Sequence, residues 1–257
     1  MHVAITGASS GLGAAMAREL AGAGCDVTLV ARRAEVLAQL AAELNARGAA
    51  RTFVAAHDLS RTTDAASWIP AAEAALGPID VLISNAGLLT LGAVATFDAD
   101  EGERMMNVNL LAPARLMRAV LPAMLARRQG VIVNVTSMAA LVAMPGWTYQ
   151  SASKSGSAVF SEALRRELRG SGVHVLTVYP GMTDTPMTRA GLAAYGGRGL
   201  TARIPLGDAA GFARRVRSAI ERRQARLFYP RFYGVVRWFP QLSGWLAARL
   251  APAPARP

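Results

Sequence analysis

Short apolar runs alternate along this chain with longer stretches whose apolar positions recur at helical spacing. The runs fall at Val3–Ile5, Val27–Val30, Thr52–Ala55, Val81–Ile83, Val131–Val135 and Val173–Val178. They show little polar alternation, which is the pattern of strands buried on both faces of a parallel sheet. Helices are expected between them, over Gly11–Ala23, Arg33–Arg47, Thr63–Leu76, Glu101–Arg127 and Ser151–Arg169. Strand–helix alternation with short connections predicts an α/β fold: a doubly wound parallel sheet in a single Rossmann-type domain. The alternation breaks after Tyr179. Residues 182–206 are rich in Gly, Thr and Met and are expected to form a small substrate lid after the sixth strand. A helix over 207–223 and a short strand near Leu227 then resume the pattern. The domain is expected to span residues 1–250, with APAPARP at 251–257 a disordered tail.

The first strand runs directly into Thr6-Gly7-Ala8-Ser9-Ser10-Gly11-Leu12-Gly13, which opens the first helix. Each glycine has a reason. Gly7 permits a tight turn, Gly11 lets the backbone approach a pyrophosphate, and Gly13 allows close helix–sheet packing. Free amides and the dipole at the helix start favour the anion. Strand, glycine loop and helix in that order point to a dinucleotide site.

The tip of the second strand, Leu29-Val30-Ala31-Arg32-Arg33, decides which dinucleotide. NAD sites carry an acidic residue here for the ribose hydroxyls, and a carboxylate would repel a 2′-phosphate. This tip has two Arg and no carboxylate. Guanidinium pairs well with phosphate, so the charge pattern selects NADP(H).

Composition adds less. The 257 residues are 52% hydrophobic, enough for one large core, and no uninterrupted apolar run reaches the length of a membrane span. The N-terminus reads as a strand rather than a signal peptide, and the lone Cys25 excludes an intrachain disulfide; both lead us to expect a cytoplasmic protein. A net charge of +11 raises nucleic acid as a partner. The Arg residues are spread out, however, and no nucleic-acid-binding motif accompanies them, so none is expected. His2, His57 and His174 lack ligand spacing, so no metal site is expected. Lys154 is the one lysine in an Arg-rich chain. That suggests a position needing a compact ammonium whose pKa can move.

Several motifs together resemble the short-chain dehydrogenase/reductase family over nearly the whole chain. The loop at 6–13 is similar to its TGxxxGxG motif. Asp58-Leu59 resembles its adenine-contacting site, Asn85-Ala86-Gly87 its NAG motif, and Asn109 its helix Asn. Pro180-Gly181 with Thr183 resembles the motif that borders the nicotinamide. The resemblance implies NADP(H)-dependent interconversion of a ketone and a secondary alcohol on a small-molecule substrate, by a homo-oligomer. It also implies roles. Ser137 hydrogen-bonds the substrate carbonyl, Lys154 holds the ribose and lowers the pKa of a Tyr, and that Tyr donates the proton, with Asn109 in support.

The Tyr is missing. Family spacing, Ser-x12-Tyr-x3-Lys, counted from Ser137 and separately from Lys154, reaches Gln150 both times. Gln donates hydrogen bonds but does not ionise near neutral pH. Tyr149 stands one residue early. One helical step is a rotation of about 100°, which would turn Tyr149 off the face that Gln150 and Lys154 share. With a helix starting only at Ser151, Tyr149 would lie in a loop and could swing in. Three accounts follow for Gln150: a replaced Tyr in an active parent, a family member that binds NADP(H) without carbonyl reduction, or another proton donor. A non-catalytic dinucleotide-binding regulatory or scaffolding protein is therefore the competing reading.

Residues 227–246 hold Phe228, Tyr229, Phe232, Tyr233, Trp238, Phe239 and Trp245, mixed with Arg231 and Arg237. Such a segment suits peripheral contact with a membrane surface, a pocket for a bulky, lipid-like substrate, a dimer interface, or packing on the core edge.

Overall fold

The computed structural model describes residues 1–46, 51–194 and 206–250. Seven strands form one parallel sheet: β1 (His2–Thr6), β2 (Asp26–Ala31), β3 (Thr52–Ala56), β4 (Val81–Ser84), β5 (Gly130–Val135), β6 (Val173–Pro180) and β7 (Arg226–Tyr229). Their order is β3-β2-β1-β4-β5-β6-β7. The expected doubly wound Rossmann-type sheet is the fold observed. β1 pairs with β2 on one side and β4 on the other, so the winding reverses between β1 and β4. In such sheets ligands bind in the crevice at the carboxyl ends of the strands beside that reversal.

Side chains alternate across each strand into two cores. Val3, Ile5, Val27 and Leu29 face one layer, with α1 (Gly11–Gly22), α2 (Ala34–Ala46) and α8 (Ala209–Glu221); Met16, Leu20, Leu37 and Phe212 fill it. Ala4, Val30, Leu82 and Ile132 face the other, with α3 (Ile69–Leu76), α5 (Ala112–Arg127) and α6 (Thr148–Glu167). Because both faces are covered, the strands read as continuous apolar runs.

Three helix expectations need correction. The helix expected over Thr63–Leu76 starts later: Thr62–Asp64 form a 3-10 turn and α3 begins at Ile69. The single helix expected over Glu101–Arg127 is α4 (Ala99–Met106) and α5 joined by a π-turn at Asn107–Leu111. Pro113 supplies the reason. It has no N–H for the Asn109 carbonyl four residues back, and its ring crowds that oxygen, so the helix widens. Although no run of apolar residues suggested it, Ala99–Arg127 is long and apolar enough by composition to cross a membrane. In the fold, Leu116, Met117, Val120 and Met124 are instead buried under the sheet. Third, α6 begins at Thr148, before Ser151, so Tyr149 is helical.

In the segment expected as a lid, α7 (Pro186–Ala194) follows β6. Gly207 donates to Met182 O at 2.9 Å and accepts from Asp184 N at 2.8 Å, which pins residues 182–184 to the far end of the segment. Residues 195–205 of the lid and the tail expected at 251–257 lie outside the described residues. After β7 the chain makes a 3-10 stretch, Arg231–Arg237, and then α9 (Pro240–Leu250).

Candidate active site

A cleft of about 660 Å³ opens at the carboxyl ends of the strands. Its dinucleotide half is shaped by backbone. Gly7 has φ +68°, and a Cβ there would stand 2.8 Å from Ala86 Cα. A Cβ on Gly13 would overlap the Gly7 carbonyl oxygen. Gly7 and Gly11 both occupy the left-handed region, which a side chain disfavours. Thr6 locks the two loops together: its Oγ1 accepts from Asn85 N at 2.9 Å and Ala86 N at 3.0 Å, while Asn85 Nδ2 donates to Thr6 O at 2.9 Å. The N-terminus of α1 has no side-chain cap from Ser10 and no acidic residue in its first turn. Its amides are thus left for an anion.

Gly7, Ser9, Ser10, Gly11 and Leu12 line the cleft, as do Asn85, Ala86 and Gly87; Gly13 packs behind them. Arg32, Arg33, Asp58 and Leu59 line the end of the cleft beside β2 and β3. Arg33 Nη2 donates to Ser9 Oγ at 2.8 Å. Burial works against the Asp58 carboxylate, yet hydrogen bonds from Ser60 and the charges of Arg32 and Arg61 hold its pKa below the usual value. Pro180, Gly181 and Thr183 line the opposite end.

At that end three side chains converge from two elements. Ser137 follows β5 and opens a 3-10 turn; its Oγ accepts from Ala139 N at 3.1 Å, leaving the O–H proton free to donate toward the cleft. Lys154 and Gln150 stand one turn apart on α6, and both line the cleft while being nearly inaccessible to solvent. Lys154 Nζ donates to Val135 O at 3.2 Å. Burial of its ammonium lowers the Lys154 pKa to about 8.

Asn109 does not line the cleft; it stands behind Gln150. The π-turn turns it inward, where its Oδ1 accepts from Leu88 N at 2.8 Å and its Nδ2 donates to Leu88 O at 3.0 Å. The same amide nitrogen lies 3.1 Å from Gln150 Oε1 and 3.2 Å from Ser153 Oγ. Gln150 is therefore a bonded member of a buried network and contains no ionisable group.

Tyr149 is elsewhere. Its ring packs 4.9 Å from that of Phe97 and lies against Gly102, where a Cβ would meet Tyr149 Cε1 and Cζ at 2.5 Å. It is not among the cleft residues.

The sequence placed Tyr233 in a segment that could form a substrate pocket, but it did not single out several other contributors. Ser153 tethers α6 to Asn109, and its hydroxyl donates to Gln150 O at 3.1 Å. Leu88 and Val135 contribute through backbone groups, which no motif encodes. Tyr233, Val236 and Ser243 reach the cleft from the C-terminal segment, and Met144, Trp147 and Met187 make that side apolar. Pro113 was the available signal for the π-turn.

A dinucleotide fits these residues: a glycine cradle that a Cβ on Gly7 or Gly13 would fill, an uncapped helix start, two guanidinium groups at the end beside β2 and a buried ammonium with one backbone partner. Comparisons with known proteins agree. Residues 1–195 match the short chain dehydrogenase family. A ketoacyl reductase of Nostoc is 38% identical over 72% of this chain and 65% of its own length. A short chain dehydrogenase of Pseudocercospora fijiensis is 36% identical over 71% of the chain, and the match spans 60% of that protein. The aligned part is thus under two thirds of these relatives. Among solved structures, a short-chain dehydrogenase from Sphingobium yanoikuyae in complex with NADPH is 31% identical, with a TM-score of 0.79 over 95% of this chain and 93% of that one. An alcohol dehydrogenase from Thermococcus sibiricus complexed with 5-hydroxy-NADP, at 24% identity and TM-score 0.78, covers 88% of this chain and 94% of its own and shares the fold. With its sheet order, glycine cradle and Ser–Lys pair all in place, this chain belongs to the short-chain dehydrogenase family of oxidoreductases.

Proposed function

We propose that the protein is an NADP(H)-dependent oxidoreductase that interconverts a ketone and a secondary alcohol on a bulky apolar substrate, at a rate limited by Gln150. Ser137 and the buried Lys154 facing one cleft carry this reading. The Nostoc relative's name, a ketoacyl reductase, and the Sphingobium neighbour's NADPH complex support it. The glycine loop and α1 would hold the pyrophosphate, Arg32 and Arg33 the 2′-phosphate, and Lys154 the nicotinamide ribose. Bound there, NADPH supplies a hydride. Ser137 would donate a hydrogen bond to the substrate oxygen and stabilise its developing charge. Gln150 can add a second hydrogen bond but no proton, so the alkoxide left by hydride addition would take its proton from water reaching the cleft, which makes that step slow. The apolar wall of Met144, Trp147, Met187 and Tyr233 would select the substrate.

A second reading has one observation in its favour. The Asn109–Gln150 bond completes the network without an acid, as it would in a protein that binds the dinucleotide and does not turn over. Carbonyl reduction by this protein and by a Gln150→Tyr variant, measured as NADPH oxidation over a ketone panel, separates the two. A large gain in the variant supports the oxidoreductase reading. Normal NADPH binding without turnover in either protein supports the second.

A further inference from the structure

The segment after β7 has two sides. One side enters the cleft through Tyr233, Val236 and Ser243. On the other, Phe232, Val235, Trp238, Phe239, Leu242 and Trp245 are exposed; Trp238 is 69% accessible and Phe239 58%. A run of large apolar side chains in water marks an interaction surface. Its charge identifies the partner. From Arg222 to the C-terminus the sequence has seven Arg (222, 223, 226, 231, 237, 249 and 256) and no Asp or Glu; Arg226 is paired with Glu162, while Arg231, Arg237 and Arg249 lie in the segment that carries the exposed rings. The Arg237 guanidinium lies 4.6 Å over the Trp238 ring and that of Arg249 lies 4.3 Å over the Trp245 ring. A stacked guanidinium covers the ring face and keeps its in-plane N–H groups free for phosphate.

We propose that this face docks on an anionic lipid bilayer, with the rings at the headgroup level and Arg231, Arg237 and Arg249 on lipid phosphates. A bilayer meets both needs at once, since it offers an apolar layer for the rings and negative charge for the Arg. A second copy of the chain meets only one. A two-fold contact places a patch on itself, so three Arg would be buried against three Arg with no carboxylate from this segment to pair them. Because Tyr233 and Val236 belong to the same 3-10 stretch as Phe232 and Val235, docking brings the cleft to the membrane. If the proposed carbonyl chemistry holds, the substrate is an apolar ketone dissolved in the lipid.

The test uses the full chain and co-sedimentation with vesicles of phosphatidylcholine, alone or with about a third phosphatidylglycerol. Partition onto the anionic vesicles should exceed that onto neutral ones by about tenfold or more and fall in high salt. Trp238→Ser with Trp245→Ser should abolish it, and Arg237→Glu with Arg249→Glu should weaken it by about tenfold or more. NADPH affinity, unchanged in both variants, reports an intact fold, and vesicle binding is read without any turnover. Equal partition onto neutral and anionic vesicles, or no partition at all, overturns the proposal. So does a double-Trp variant that turns an oligomer into a monomer while vesicle binding stays as it was; the face would then belong to a second copy.

Discussion

The two ends of the cleft are built differently. The proposed pyrophosphate end is made of backbone: positive-φ glycines, an uncapped helix start and loops cross-linked by Thr6. The proposed reaction end is made of side chains, Ser137 after β5 and Gln150 and Lys154 on α6. The contrast teaches that these ends respond to mutation in opposite ways. A change in the cradle alters the shape of the fold and should remove the cofactor. A change at position 150 breaks the side-chain bond from Asn109 and changes the chemistry, while the backbone of α6 should stay in place.

The largest expected effect lies in the cradle. Gly13→Ala drives a methyl into the backbone carbonyl of Gly7, which cannot swing aside as a flexible side chain could. Overpacking of this kind costs about 1–3 kcal/mol or more. We expect a lower melting temperature and loss of measurable NADPH binding by titration. A variant that binds NADPH normally would show that the two segments can part without cost.

Much of this architecture is legible in the sequence because it follows from backbone requirements. Apolar runs mark strands covered on both faces, and TGASSGLG marks a turn that only glycine permits. The reaction end is legible only in residue types. Ser137, Lys154 and the substitution at 150 can be counted, but no pattern announces that Asn109 bonds Gln150, since the π-turn that brings them together is set by Pro113 and by what α6 packs against. The apolar side of the cleft was legible only as one of several readings of residues 227–246, because Tyr233, Val236 and Ser243 arrive by tertiary packing of a segment beyond residues 1–195, the part that matches the family.

The next effect belongs to the reaction end. Gln150→Tyr places a phenol on the face of α6 that carries Lys154, one turn away. The nearby ammonium favours the phenolate, and general acid catalysis is worth about 10²–10⁴-fold. Carbonyl reduction should rise by about 10²-fold or more while NADPH affinity changes little. A rise confined to affinity would mean that position 150 serves binding rather than proton transfer.

Lys154 should leave a mark on stability. Burial lowers its pKa to about 8 from 10.5. Between these values the unfolded chain holds a proton that the folded one has released. The destabilisation is therefore full below pH 8 and is relieved as pH rises toward 10.5. Lys154→Met should make the cofactor-free protein more stable at pH 7, by up to about 3 kcal/mol from the linkage relation. That difference should shrink above pH 9 in denaturant titrations. A gap that stays constant with pH would show that the ammonium is not what the fold disfavours.

The adenosine end should show a smaller and purely electrostatic effect. With Arg32 and Arg33 at the tip of β2, which carries no carboxylate of its own although Asp58 interacts with Arg32 from beyond β3, NADPH should bind at least about tenfold more tightly than NADH, or roughly 1.4 kcal/mol. Arg32→Asp should erase that preference. Equal affinities in the unmodified protein would sink the assignment to NADP(H).

The smallest effect is the one that most sharpens the comparison. Tyr149 is next to Gln150 in sequence, yet α6 turns its ring onto Phe97 and Gly102, away from the cleft. Removing its hydroxyl by Tyr149→Phe keeps that aromatic contact. Stability should move by no more than about 0.5 kcal/mol, the usual range for a change that breaks no buried partnership. Turnover should stay within about twofold, both in this protein and in the Gln150→Tyr background, since general acid catalysis requires hydrogen-bond reach of the substrate oxygen. A collapse of activity on Tyr149→Phe would mean that the start of α6 unwinds to deliver this phenol. The helix register, rather than the residue at 150, would then govern proton transfer at the reaction end.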